Sequence, residues 1–259
     1  MTFLSTRIKQ FSIAVGLYRP ARRLSRMVRP RERRAFREDI ELYQLLLPSR
    51  ALCFDVGANV GDKSEALLRT GARVVAFEPN PLVVPELRAR CGAQRDWRLV
   101  EAALGSGSRI AILHAQQIHS QSSLAQGWEN GKVIASFPVP VVTLDAAIEC
   151  FGLPDYCKID VEGWEVEVLN GLTQPIRLVS FEFHLDDKGI QNARSCLERL
   201  AAFGPSRLNI TPAESSAFHF KEWVALGEFL EGFPENVIDS LPGNPYGDMF
   251  VRSAVAVRK

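Results

Sequence analysis

No apolar run in this sequence approaches the roughly 18 residues that a membrane-crossing helix needs. The longest near the N-terminus, Phe11 to Tyr18, is interrupted by Ser12 and Gly16, so no spanning segment is expected. Nor is a secretory signal, because Arg19, Arg22 and Arg23 follow that stretch and an A-x-A cleavage site does not. No two of the five cysteines (Cys53, Cys91, Cys150, Cys157, Cys196) form a C-x-x-C pair. An odd, scattered set argues for a reducing compartment and against a zinc site. Internal repeats and low-complexity tracts are also lacking, which sets aside repeat architectures.

Net charge is nearly absent, since 31 Lys and Arg face 30 Asp and Glu. The balance hides an asymmetry. Residues 1–37 hold 11 basic residues and one acid, Glu32, which leaves 20 basic and 29 acidic residues in 38–259. The arm therefore carries +10 and the body −9, and the two need separate explanations. Within the arm, Leu4, Ile8, Phe11, Val15 and Tyr18 recur at helical spacing while Arg7, Lys9 and Gln10 lie off that face, the pattern of a basic amphipathic helix. A second stripe, Phe36, Ile40, Tyr43 and Leu47, ends at Pro48.

At 259 residues, 46% hydrophobic and 24% charged, the chain has room for one large α/β domain with appendages or two small ones. We divide it into a basic extension, 1–37, and a main domain, 38–259. From residue 50 short apolar runs alternate with helical patterns. The runs 51–56, 73–77, 97–101, 156–160 and 178–183 read as buried strands, and 62–70, 82–91, 144–151, 163–170 and 190–203 as helices, three of them closed by Gly71, Gly171 and Gly204. Such alternation predicts a doubly wound, mostly parallel sheet, whose ligands bind at the carboxyl ends of the strands.

The first strand runs into Asp55-Val56-Gly57-Ala58-Asn59-Val60-Gly61, a D-x-G-x-x-x-G turn before a helix. The dinucleotide pattern G-x-G-x-x-G fails, because Asn59 and Asp62 stand where its later glycines belong. Asp62 at a helix N-terminus would repel a pyrophosphate, whereas an acidic turn suits an ammonium or sulfonium. Glu78, 21 residues after Gly57, stands at the separation at which an acid meets a ribose diol in such folds. Later strands deliver Asp160 and Glu162 in Lys158-Ile159-Asp160-Val161-Glu162-Gly163, and Glu182 and His184 in Phe181-Glu182-Phe183-His184. This set of carboxylates and one imidazole reads either as acid–base groups or as ligands of a hard divalent metal. The spacing does not decide between them.

These residues resemble the FkbM family of S-adenosylmethionine-dependent methyltransferases. The matching stretches are FDVGANVGDKSEALLRTGARVVAFEPNP (54–81), VVTLDAAIECFGLPDYCKIDVEGWEVEVLNGL (141–172) and SFEFH (180–184), with a weaker echo in GDMFVR (247–252). The resemblance implies the Rossmann-like fold of class I methyltransferases. It implies that Asp55, Gly57 and Gly61 hold the methionine part of S-adenosylmethionine, Glu78 its ribose, and Glu101 and Ala102 its adenine, with Asn59 also among the cofactor-binding residues. Asp160 and Glu162 match the family's D-x-E-G beside the transferred methyl group, so Asp160 counts toward both cofactor and catalysis. Asp160, Glu162 and His184 are the catalytic candidates, with no metal entered.

The implied reaction is O-methylation of a sugar, glycan or secondary metabolite. The acceptor pocket is expected to use 114–137, with Ser122 and Ser123, and Trp223. His114, His119 and His219 are assigned to surface or packing roles. The expected setting is cytoplasmic, with residues 1–30 contacting the inner membrane face peripherally, and no nucleic-acid partner. The alternatives are a nucleotide-dependent oxidoreductase on the same type of sheet, and a nucleic-acid-binding module led by the basic arm.

Overall fold

The computed structural model describes residues 30–116, 123–124, 133–213, 215–241 and 245–254. The first stripe of the arm, and most of the arm itself, lie outside these. The described chain opens with helix α1 (Pro30–Leu46), followed by β1 (Leu52–Val56), α2 (Asp62–Arg69), β2 (Arg73–Phe77), α3 (Val84–Cys91) and β3 (Trp97–Val100). Position 38, the expected boundary, falls inside α1. Next come the short β4 (Ala103–Leu104), the hairpin strands β5 (Arg109–Gln116) and β6 (Val133–Val142), α4 (Leu144–Phe151), β7 (Tyr156–Ile159), α5 (Glu165–Asn170) and β8 (Leu178–His184). The chain closes with α6 (Asp187–Ala201), β9 (Ser206–Pro212), β10 (Val224–Ala225), α7 (Leu226–Glu231), α8 (Glu235–Ser240) and β11 (Tyr246–Ser253).

The main sheet has the order β10-β9-β11-β8-β7-β1-β2-β3. Strands β3, β2, β1, β7 and β8 run parallel, while β11 lies antiparallel to both β8 and β9. Successive side chains of β1 go to opposite faces. Leu52, Phe54 and Val56 join the core under α4, α5 and α6, and Cys53 joins the core under α1, α2 and α3. Because both faces are covered, the parallel strands are almost wholly apolar, which is why they stand out in the sequence. Of the expected stripe, Tyr43 is buried in the second core and Phe36, Ile40 and Leu47 pack against it partly buried, while Leu42 and Leu46, which the stripe did not include, are buried there too.

The expected strands all form, and so do the expected helices, 144–151 with the expected ends and the other four with shifted ones. Helix α6 begins at Asp187 rather than 190, because the Asp186 side chain caps it by accepting the Gly189 N–H at 2.8 Å. Helix α5 begins at Glu165 rather than 163, because Glu162 and Gly163 have φ of 56° and 88°, outside the range of a right-handed helix. Two features were not foreseen. One is the hairpin β5–β6, which joins β4 in a small separate sheet. The other is the antiparallel ribbon of β9 and β11 that extends the main sheet. All five cysteines are free. Among the described residues no helix is long and apolar enough to cross a membrane.

Strand order reverses between β1 and β7: the chain builds outward from β1 to β3, then returns to lay β7 on the other side of β1. At such a switch point the loops leaving the two strands diverge and open a crevice.

Candidate active site

The crevice is a cavity of about 450 Å³. Its floor is the turn after β1. The N–H groups of Gly57 and Ala58 both donate to the carbonyl of Phe77, at 3.0 and 3.1 Å, which ties the turn to the end of β2. Gly57 has φ 78°. A side chain there would be strained by the backbone and would also strike the carbonyl of Asp160 at the end of β7. Glycine thus lets the two strand ends close on each other.

Glu78, leaving β2, is buried at the rim of this turn. Its carboxylate accepts the N–H of Asn59 at 2.7 Å and that of Asn80 at 2.8 Å. Burial pushes its pKa up to about 7, against the lowering effect of those two hydrogen bonds. The oxygens retain lone pairs toward the cavity. Beside them, the side-chain oxygen of Asn59 is buried without a hydrogen-bond partner, an acceptor left for a ligand donor.

Several of the expected cofactor residues lie elsewhere. Asp55 is fully buried and does not line the cavity. Its position on β1 turns it toward α2, where it accepts the Ser64 hydroxyl at 2.6 Å and stands 3.9 Å from Lys158 Nζ. Gly61, with φ 85°, packs against Leu87 of α3. Asp62 pairs with Arg90 at 2.6 Å and Lys63 with Asp39 at 2.7 Å, so the acidic turn serves the protein's own cations. Glu101 is exposed and paired with Arg88, while its neighbour Ala102 lines the cavity. Gly57, Asn59, Glu78, Ala102 and Asp160 are brought together; Asp55, Gly61 and Glu101 stand behind them or away.

At the other end stand Asp160, Glu162, Glu182 and His184. Lys158, buried beneath them, reaches Asp160 at 2.9 Å. Burial alone would lower the Lys158 pKa, but Asp160 and Asp55 hold it above its ordinary value. The turn after β7 is organised by Glu165, whose buried carboxylate accepts the N–H groups of Val161 at 3.1 Å and Gly163 at 3.2 Å. A third bond ties Ser123 Oγ to the carbonyl of Glu162 at 2.7 Å. On β8, Glu182 and His184 lie two residues apart and so share a face, with Nε2 and Oε2 at 3.2 Å. That hydrogen bond raises the His184 pKa, while burial raises that of Glu182. His184 stacks on Tyr246.

Of the expected acceptor residues, Ser123 lines the cavity, together with Leu113 and Leu124, whereas Ser122 and His119 lie outside the described residues. Trp223 does not reach the cavity, which corrects the expectation for it. The ring packs on Phe218 and lies beneath Arg252, 4.2 Å from the guanidinium carbon to the ring centre. His114 is hydrogen-bonded to Ser136 at 3.1 Å on the exposed side of the hairpin, and the His219 ring packs on Phe220. Sequence reasoning missed Asn80, Tyr246 and Trp164, which line the cavity. Trp164 follows the D-x-E-G turn directly and donates to the Leu104 carbonyl at 3.2 Å, so its proximity to that motif was the available signal.

These residues fit S-adenosylmethionine. The volume suits a nucleoside-sized ligand, Glu78 and Asn59 offer acceptors at one end, Gly57 opens the floor, and carboxylates rather than cations surround the far end, as a sulfonium requires. The chain matches the Methyltransferase FkbM domain model over residues 55–226. It is 27% identical over 153 residues to the hexuronic acid methyltransferase AglP of Haloferax volcanii, covering 57% of this chain and 62% of that one. The chain thus spans less than two thirds of that relative's length. Among solved structures it is similar to a precorrin-6y C5,15-methyltransferase from Geobacter metallireducens (TM-score 0.45, 13% identity, 83% of this chain and 88% of that one). Another is a putative O-methyltransferase from Klebsiella pneumoniae (TM-score 0.44, 11% identity, 87% of each). With its family model matched over most of its length, its strand order reversed between β1 and β7, and its cavity at that reversal, the chain belongs to the FkbM methyltransferase domain family, whose cofactor is S-adenosylmethionine.

Proposed function

We propose that the protein transfers a methyl group from S-adenosylmethionine to an oxygen of a sugar or glycan acceptor. The observation that carries this reading is the polarity of one cavity. A diol acceptor, Glu78, stands at one end, and Asp160, Glu162 and His184 stand at the other. S-adenosylmethionine supplies the methyl group as an electrophile on a positively charged sulfur.

The protein's part is to place the acceptor oxygen in line and to take its proton. Asp160, fixed by Lys158 from below, faces the reacting end of the cofactor. Asp160, Glu162 and His184 are the groups able to receive the proton as the oxygen–carbon bond forms and the sulfur–carbon bond breaks. Leu113 and Leu124 on the hairpin side, with Trp164, exclude water from that end. The relative named as a hexuronic acid methyltransferase supports a sugar acid as the first acceptor to try. A sugar or glycan also fits a role near a membrane, for which the +10 arm and its amphipathic stripe are the support. Among the described residues no Lys or Arg lines the cavity, which disfavours an anionic dinucleotide or nucleic acid there.

The test is calorimetric titration with S-adenosylhomocysteine and, separately, NAD, followed by a screen of radiolabelled methyl transfer onto hexuronic acids and neutral sugars. Micromolar binding of S-adenosylhomocysteine and label in a sugar product are expected. Binding of NAD alone would overturn the reading.

A further inference from the structure

Among the described residues, four acids line the cavity: Glu78, Asp160, Glu162 and Glu182. Glu78 is capped by two backbone N–H groups and Asp160 by Lys158, while Glu182 is hydrogen-bonded to His184 at 3.2 Å and Glu162 lines the cavity beside them. Glu162, Glu182 and His184 each present one ligand atom, and these atoms all lie within 4.8 Å of one another. That is the spread of donors around a single ion. The three arrive from two rigid sources. Glu182 and His184 project from the same face of β8, and Glu162 sits in a turn held by the Glu165 and Ser123 hydrogen bonds. One flank of the triad stays open to the cavity.

We propose that Glu162, Glu182 and His184 bind one divalent cation on the acceptor side of the cavity. Two carboxylates and one imidazole, with open positions for water or substrate oxygens, suit Mn²⁺ or Mg²⁺. Thiolates, which would favour zinc, are absent from the described lining. The residues come from the set that the sequence left open between acid–base and metal roles; their convergence supports ligation, which leaves Asp160 among the three proton-accepting candidates as the base. The role of the ion rests on the methyl-transfer reading. Bound to the acceptor hydroxyl, it lowers the pKa of that hydroxyl, and the proton then passes to Asp160, which is not one of the three ligands. Binding of the ion itself does not depend on that reading.

The experiment uses full-length protein stripped with EDTA and desalted, titrated with Mn²⁺ while the electron paramagnetic resonance signal of free Mn²⁺ is followed. S-adenosylhomocysteine affinity is measured in parallel. We expect one equivalent of Mn²⁺ to be taken up by the wild type. In Glu182→Gln and in His184→Gln, Mn²⁺ affinity should fall at least about tenfold, since even residues behind metal ligands contribute that much, with S-adenosylhomocysteine affinity kept. The parallel titration shows whether each variant is folded. No uptake of Mn²⁺ by the wild type, or unchanged uptake by a folded variant, overturns the proposal. Uptake of Mn²⁺ without S-adenosylhomocysteine binding would leave the metal site standing and remove the methyl-transfer reading.

Discussion

A β-carbon placed on Gly57 would lie 1.8 Å from the backbone carbonyl oxygen of Asp160. The two ends of the active site are therefore held by one close approach, between the turn after β1 and the end of β7. Gly57→Ala must push them apart and also adopt a left-handed conformation that costs about 1–3 kcal/mol. We expect S-adenosylhomocysteine affinity to fall by at least about tenfold and thermal stability to drop. Unchanged calorimetric affinity would show that the turn can open without harm.

Glu78→Ala removes charge-assisted hydrogen bonds to the ribose, each about 1.5–3 kcal/mol, so affinity for S-adenosylhomocysteine should fall about a hundredfold. The wild type should also bind more tightly as pH rises from 5 to 8, because a carboxyl with its pKa near 7 becomes the ionised diol acceptor across that range. A flat pH profile in calorimetry would remove Glu78 from the ribose site.

Glu165 is buried, and its pKa is raised to about 7 by burial, opposed by hydrogen bonds that include those from Val161 and Asn192. A raised carboxyl contributes stability that is full below its unfolded value, 4.5, and lost as pH climbs through 7. The melting temperature of the ligand-free protein should therefore fall by a few °C between pH 5 and 8, and less steeply in Glu165→Gln. Glu165→Ala strands the N–H groups of Val161 and Gly163, at about 1–3 kcal/mol for each left buried. Hydrogen exchange across 160–164 should then rise in Glu165→Ala and much less in Glu165→Gln.

Asp160→Asn keeps the shape of the end of β7 but removes the charge. Turnover on an acceptor found by screening should fall far more than cofactor affinity. Equal losses in both would assign Asp160 to cofactor binding alone.

The basic arm predicts binding to anionic membranes. Each Lys or Arg near such a surface contributes on the order of 1 kcal/mol. Deleting residues 1–29, which spares α1, should abolish sedimentation with anionic liposomes at low salt and leave S-adenosylhomocysteine binding intact. Equal sedimentation of the two proteins would end the membrane reading.

The parallel strands were legible because burial on both faces leaves runs such as Leu52 to Val56 and Leu178 to Phe183 almost free of polar residues. The hairpin was not, because Pro138 and Pro140 interrupt the usual strand signature and the pairing residues of β5 and β6 stand 17 (Gln116 and Val133) to 32 (Arg109 and Val141) positions apart. Within the site, motif matching found Glu78, Asp160 and Glu162, which leave strands at the switch point. It could not separate Asp55 from them. Asp55 sits one residue before the strand end, and the alternation of side chains sends it to α2 and Ser64 rather than into the cavity. Glu182 was seen as an ionisable group but not chosen, because its importance depends on lying beside Glu162, a residue from another strand's turn.

The cavity's walls come from separable parts of the chain. Gly57, Asn59, Glu78 and Ala102 precede the hairpin and line the proposed cofactor end, whereas Leu113, Ser123 and Leu124 come from the hairpin strands or the segment between them. The hairpin is attached to the body through its own small sheet, by Ala103 and Leu104 alongside Val141 and Val142. On the proposed reading, substitutions in the hairpin strands should change acceptor preference more than S-adenosylhomocysteine affinity, provided that Ser123, whose hydroxyl holds the Glu162 carbonyl, is kept. Exchanging the hairpin for that of a relative with another acceptor is therefore the experiment that would separate acceptor choice from cofactor affinity.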